Sequence, residues 1–409
     1  MGKLYSNFSR ANKLLDGNIS IYLDLVRGIS AILVVMTHLS SRLFVGYGNL
    51  ENHNIFVKFL YLLNLLGSPA VIVFFVLSGL FISRSILKAV FENNWSWRTY
   101  LINRFSRLLI VLIPALLFTL VLDSIATNFF EFKGYESIFH NFIEFIGNLF
   151  FLQGIFVKYY GSNAPLWSLS YEFWYYMLFP ILICIFFNKR GKIHIFLYVL
   201  LSLVIVSNIG IEMISYFFIW LIGPFVLFLP RINFLTNKLL PIVALILVSI
   251  AVIIHPLAVT GRLLFIDREL KELMDLLGVN ITIGLTFGFL TYTLLHSVSG
   301  KLRNIEIGHL GKVAKLISSI SFSLYIIHYP IINTVYFLCA QYGFSGLQPN
   351  LFSVIAEIVI VIIICFIAYV FSYFTEAKTH IVRKFLLSRT SKFFVTRRDN
   401  ELSKQTKVM

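Results

Sequence analysis

The sequence predicts an all-α protein, a polytopic bundle of about ten transmembrane helices with both termini in the cytoplasm. Three observations predict it. Hydrophobic residues make up 58% of the 409 and charged residues only 13%, with a mean hydropathy of +0.84. A soluble domain of that size has no way to hide so much apolar surface. Apolar runs long enough to cross a bilayer recur along the chain, and basic residues crowd into alternate connections between them.

The runs fall near 22–42, 68–87, 108–127, 166–187, 193–210, 212–229, 239–256, 279–297, 320–338 and 353–374. With the N-terminus inside, the inner segments hold 26 of the 34 Lys and Arg and the outer segments 7, Arg27 of the first span completing the set. The net charge of +15 is therefore mostly topology, with some attraction to anionic headgroups, and nucleic acid is not expected as a partner. The expected organisation is a basic cytoplasmic tail over 1–18, a transmembrane domain over 19–376 and a second basic cytoplasmic tail over 377–409. The polar first twenty residues, with Lys3, Arg10 and Lys13, are not a cleavable signal peptide. Cys184, Cys339 and Cys365 sit singly in apolar runs, so neither a disulfide framework nor a metal site is expected. Two outer connections exceed simple turns. Residues 128–165 are amphipathic enough to lie in the interface. Residues 257–278 contain a short amphipathic helix in which Asp267 and Glu272 alternate with Arg268 and Lys271. The long inner link is 84–107.

Ionisable groups inside a membrane are costly, so each asks for a pairing or functional reason. The first span, YLDLVRGISAILVVMTHLS, holds three. Arg27 and His38 are eleven residues apart, about three turns and roughly 16 Å along one face. Asp24 lies on the same face, with Gly28 and Ala31 as small neighbours. A boundary ion pair explains Asp24 and Arg27 as well as a functional stripe does, and a buried, hydrogen-bonded imidazole explains His38. In SNAPLWSLSYEFWYYMLFPI, Glu172 sits among Trp167, Ser168, Tyr171, Trp174 and Tyr175; an interfacial aromatic belt accounts for Trp167 and Trp174. In SISFSLYIIHYPI, Ser321, Tyr325 and His328 share one helical face, lining a polar cavity or packing between helices. Ser78-Gly79 stands in mid-span in VFFVLSGLFIS, the signature of close helix packing. Arg104 and Arg107, one turn apart in NRFSRLL, suit phosphate or pyrophosphate, although positive-inside bias places basic residues there too. No Walker loop, HExxH, GxSxG or dinucleotide fingerprint is present.

Taken in order, these motifs resemble the acyltransferase 3 family of bacterial membrane proteins. The residues that carry the resemblance are Arg27 and His38 in LDLVRGISAILVVMTH, FFVLSG at 74–79, the RxxR pair Arg104 and Arg107, WSLSYE at 167–172, and Tyr325 with His328 as YxxH. The resemblance departs in Leu80-Phe81, where the family often has Phe-Leu, and in a proline after RxxR that comes late, at Pro114. It implies an integral-membrane O-acyltransferase of the bacterial inner membrane that moves an acyl group, usually acetyl, from cytoplasmic acyl-CoA to a carbohydrate hydroxyl of an envelope glycan or lipid-linked glycan. O-antigen, capsule, exopolysaccharide, peptidoglycan or a small glycoside would all serve as acceptor.

Under that reading Arg104 and Arg107, with Arg84 and Lys88, bind the polyanionic donor on the cytoplasmic side. His38 acts as general base or takes the acyl group itself. Arg27 binds the donor or stabilises the oxyanion, and Asp24 orients Arg27. Glu172 meets the sugar or holds His38 in one tautomer. Ser78, Gly79, Trp167, Ser168, Tyr171, Ser321, Tyr325 and His328 line the substrate cavity. The competing class is a transporter or flippase of a glycolipid, which predicts paired broken helices related by a repeat; no repeat is visible.

Overall fold

A chain that crosses lipid has no water to satisfy its amides, so each apolar run must bond its own backbone as a helix. The computed structural model describes residues 2–130, 142–187, 191–237, 239–259, 278–298 and 308–389. The regular structure among those residues is helical, with no strand beyond two isolated bridges. In chain order the helices are α1 (Gly2–Leu15), α2 (Ile19–Leu43), α3 (Ile55–Leu63), α4 (Gly67–Phe91), α5 (Trp97–Phe130), α6 (Phe142–Leu149) and α7 (Leu166–Phe187). They continue with α8 (Lys192–Asn208), α9 (Ile211–Phe228), α10 (Leu240–Val259), α11 (Asn280–Thr293), α12 (Gly308–Gln341) and α13 (Leu351–Phe374).

Seven helical stretches are long and apolar enough to cross a membrane: those of α2, α3–α4, α5, α7, α9, α12 and α13. This is a multi-pass membrane protein. The other three expected spans are helical too, but α8 has 17 residues, the apolar part of α10 ends at His255, and α11 has 14. Among the described residues, length and composition thus support seven spans, and they do not confirm the expected count of about ten. The 260–277 part of the connection expected to hold an amphipathic helix, the 131–141 part of the outer connection before it and the tail beyond 389 lie outside the described residues.

Two boundaries differ from the sequence expectation. The inner link of 84–107 shrinks to five residues, because α4 runs on to Phe91 and α5 begins at Trp97. Hydropathy marks where apolar side chains stop, whereas the backbone hydrogen bonds of the helix continue past that point. The N-terminal tail is itself a helix. Phe8, Ala11 and Leu15 of α1 are buried against the bundle, and Asn7 donates to the Phe228 carbonyl at 3.0 Å.

α2 and α12 pack side by side along their length. Their register is parallel: Arg27 lies beside Ser318, and His38, eleven residues on, beside His328, ten residues on. Gly28 makes this approach possible, since a Cβ there would sit 2.5 Å from Ile317 Cγ2. α4 crosses α9 still more closely. A Cβ on Gly79 would lie 2.0 Å from the Trp220 carbonyl oxygen, and one on Gly223 2.2 Å from the Leu80 nitrogen. The Ser-Gly of FFVLSG is thus the crossing point of two helices. α13 lies at the periphery, with Ile358, Ile362 and Phe366 exposed to the lipid side.

Candidate functional site

α2, α4, α5, α7 and α12 enclose a cavity with about 980 Å³ of empty space. At one end stand Arg27, Arg104 and Arg107, with Ser78, Glu172 and Tyr176 beside them, since Arg104 lies against the Tyr176 ring; Phe74, Phe75, Phe81 and Phe322 line it too, as do Ser168 and Tyr325. Cationic, apolar and hydroxyl-rich stretches therefore share one space.

At the basic end Arg27 pairs with Asp24 one turn away, Nη2 to Oδ1 at 3.1 Å, and donates to the Ser318 hydroxyl. Ser318 in turn donates to Asp24 at 3.1 Å, closing a three-membered ring across α2 and α12. The pair uses one oxygen of Asp24, and Nε of Arg27 is buried without a partner. Arg104 holds its guanidinium 5.6 Å from the Tyr100 ring and 5.8 Å from the Tyr176 ring, flat cation against aromatic faces. Its Nε is also buried without a partner. Arg107, one turn on, is exposed.

Glu172 in α7 accepts from the Ser78 hydroxyl of α4 and from Tyr176 one turn below it. Trp220 of α9 donates to Ser78 at 3.3 Å. One carboxylate thus ties three helices together. Its partners are Ser78 and Tyr176, not His38. The cavity ends where Ser168 and Tyr325 bond each other at 2.6 Å. Beyond Tyr325, whose ring is 5.9 Å from that of His328, lie the histidines. His38 and His328 pack ring to ring with centroids 5.4 Å apart, and Tyr329 sits edge-on to His38 at 4.8 Å. His38 does not line the cavity; it stands one side chain past its end.

Other expected residues are placed elsewhere. Arg84 bonds the Asn12 side chain at 2.7 Å, the Asn12 carbonyl at 3.0 Å and Asp16, clamping α1 to α4. Lys88 is exposed at the end of α4. Trp167 and Tyr171 belong to an aromatic cluster with Tyr216, at 5.5 and 5.8 Å, outside the cavity. Gly79 serves the crossing with α9. Ser321 lines the cavity and donates to the Ser318 carbonyl.

The sequence reading missed several polar residues. Ser318 and Tyr176 each complete a motif that it recognised. Glu376, just after α13, interacts electrostatically with Arg107 and Arg27. It shares with them a second cavity of about 970 Å³, lined also by Ser318, Ser372 and Tyr373. Arg27 and Arg107 border both cavities. Glu357, buried in α13, accepts from Ser40 of α2. As a lone carboxylate in an apolar run, it satisfied the rule that singled out Asp24, and could have been found by it.

No curated protein and no solved structure matches the chain. The family model of the acyltransferase domain matches residues 20–373. That stretch begins just before Asp24 and ends in the last turn of α13, taking in every residue of the first cavity. The chain belongs to the acyltransferase 3 family of membrane acyltransferases.

Proposed function

We propose that this protein transfers an acyl group, acetyl, from cytoplasmic acyl-CoA to a hydroxyl of a bacterial envelope glycan, in the inner membrane. The observation that carries the reading is the cavity itself, which joins three guanidiniums, with a carboxylate–hydroxyl cluster beside them, to the Ser168–Tyr325 hydroxyl pair. A donor with several phosphates and an uncharged thioester arm matches that order of chemistry. Arg104, Arg107 and Arg27 bind the phosphates, and the unbonded Nε atoms of Arg27 and Arg104 are donors still to be used. Asp24 and Ser318 keep Arg27 turned into the cavity. The arm runs past Phe74 and Phe81 towards Tyr325. There the thioester meets His38 once Tyr325 and Ser168 part, and His38 takes the hydroxyl proton or carries the acyl group. Arg84 and Lys88 have no part in this scheme, since Arg84 is occupied by Asn12 and Asp16 and Lys88, exposed, is not among the residues that line the cavity.

The test is transfer of labelled acetyl from acetyl-CoA by the purified protein, with mass analysis of envelope glycans from cells with and without the gene. His38→Ala is expected to abolish transfer while the protein stays folded in the membrane. Normal glycan acetylation in that variant would sink the scheme.

A further inference from the structure

His328 is fully buried in α12, and its bonds define its tautomer. Nδ1 lies 3.1 Å from the Leu324 carbonyl oxygen and 2.8 Å from that of Tyr325. Carbonyl oxygens only accept, so Nδ1 carries the hydrogen, and in the neutral ring Nε2 presents a lone pair. That Nε2 is closed off from solvent and has no hydrogen-bond partner. Buried polar atoms in packed interiors are nearly always satisfied, so an orphan held in a fixed tautomer asks for a donor that arrives with a ligand. The ring stands beside the His38 ring at 5.4 Å and behind Tyr325 at the end of the cavity.

We propose that Nε2 of His328, in place of His38, accepts the proton of the acceptor hydroxyl during acyl transfer, which leaves His38 the role towards the acyl group. This rests on the acyltransferase reading above. The hydroxyl oxygen bonds to the acyl carbon, and the bond from that carbon to the thioester sulfur breaks. The hydroxyl proton passes to Nε2 and then to the thiolate, leaving an ester and a free thiol. The same balance holds if the acyl group rests first on a nitrogen of His38. Sulfur then leaves as thiolate in the first step, the hydroxyl displaces neutral His38 in the second with its proton on His328, and that proton passes on to the thiolate. The two imidazoles thereby divide the work, one towards the acyl group and one towards the hydroxyl.

A purely structural His328 needs only the Nδ1–H bond to the carbonyls, which the amide of Asn can reproduce. A hydrogen-bond acceptor that never takes the proton needs only an oxygen at the Nε2 position, which Gln can supply. Neither can be protonated there. His328→Asn and His328→Gln are therefore both expected to lower kcat on the order of 100-fold or more, with KM for acetyl-CoA little changed. Exogenous imidazole is expected to restore part of the rate to His328→Gly, and this answers for any variant that folds poorly. Wild-type kcat in either the Asn or the Gln variant overturns the proposal, as does a His328→Gly that is folded but gains nothing from imidazole. A wild-type protein that transfers nothing from acetyl-CoA overturns the donor reading first, and this one with it.

Discussion

Glu172 shows how one side chain can serve structure and chemistry separately. Its Oε1 receives hydrogens from both Ser78 and Tyr176, bonds that a glutamine carbonyl oxygen would also accept. The charge is a different matter, because it lies in the same cavity as Arg27, Arg104 and Arg107. Glu172→Gln is therefore expected to leave thermal unfolding in detergent nearly unchanged, within about 1 kcal/mol, while Glu172→Ala leaves the Ser78 and Tyr176 hydroxyls only each other as acceptor, at 3.2 Å, and costs about 1–3 kcal/mol. If the carboxylate's charge matters to the acyl donor or acceptor, the Gln variant loses transfer at least about tenfold with its fold intact. Gln and wild type with equal rates would reduce Glu172 to a structural tie.

At the scale of the helix, prolines free backbone carbonyls, and side chains from elsewhere in the chain bond two of them. Proline lacks an amide hydrogen, so each one inside a helix frees the carbonyl four residues earlier. Pro180 frees the Tyr176 carbonyl, and Tyr100 of α5 donates its hydroxyl there at 2.7 Å. Pro330 frees the Ile326 carbonyl, and Asn163 donates to it at 2.9 Å. Pro224 frees the Trp220 carbonyl, which lies against Gly79. Each proline lies close to a motif of the site: Pro180 after WSLSYE, Pro330 after YxxH, Pro224 opposite FFVLSG. Gly79→Val forces side-chain atoms into the Trp220 carbonyl and is expected to destabilise the folded protein by about 1–3 kcal/mol or more, read as a lower unfolding temperature in detergent. An unchanged unfolding temperature would mean that α4 and α9 have room to move apart.

Over the whole molecule, what could be read in advance was whatever depends on one segment at a time. Apolar runs predict helices because lipid allows nothing else, and the shared face of Arg27 and His38 follows from helical period alone. Partners could not be read this way. Nothing local says that Ser318 closes the Asp24–Arg27 ring, that Arg84 is spent on Asn12 and Asp16, or that the cavity stops at Tyr325 short of His38. Those facts come from how α1, α2, α7 and α12 assemble, and assembly in lipid is driven by close packing and a few polar contacts rather than by a hydrophobic pattern. Orientation in the membrane is a third kind of property, set by charge against the surrounding bilayer. If the chain follows the expected ten-span layout with its N-terminus inside, the distribution of Lys and Arg, 26 against 7, turns the basic end of the cavity to the cytoplasm, which the proposed donor requires. Glu51, in the connection after α2, and Glu92, after α4, are both exposed and fall on opposite sides under that orientation. In intact cells Glu51→Cys is expected to react with a membrane-impermeant maleimide, and Glu92→Cys only after permeabilisation. The reverse pattern would turn the guanidiniums away from the cytoplasm, and no acyl-CoA made there could then reach them.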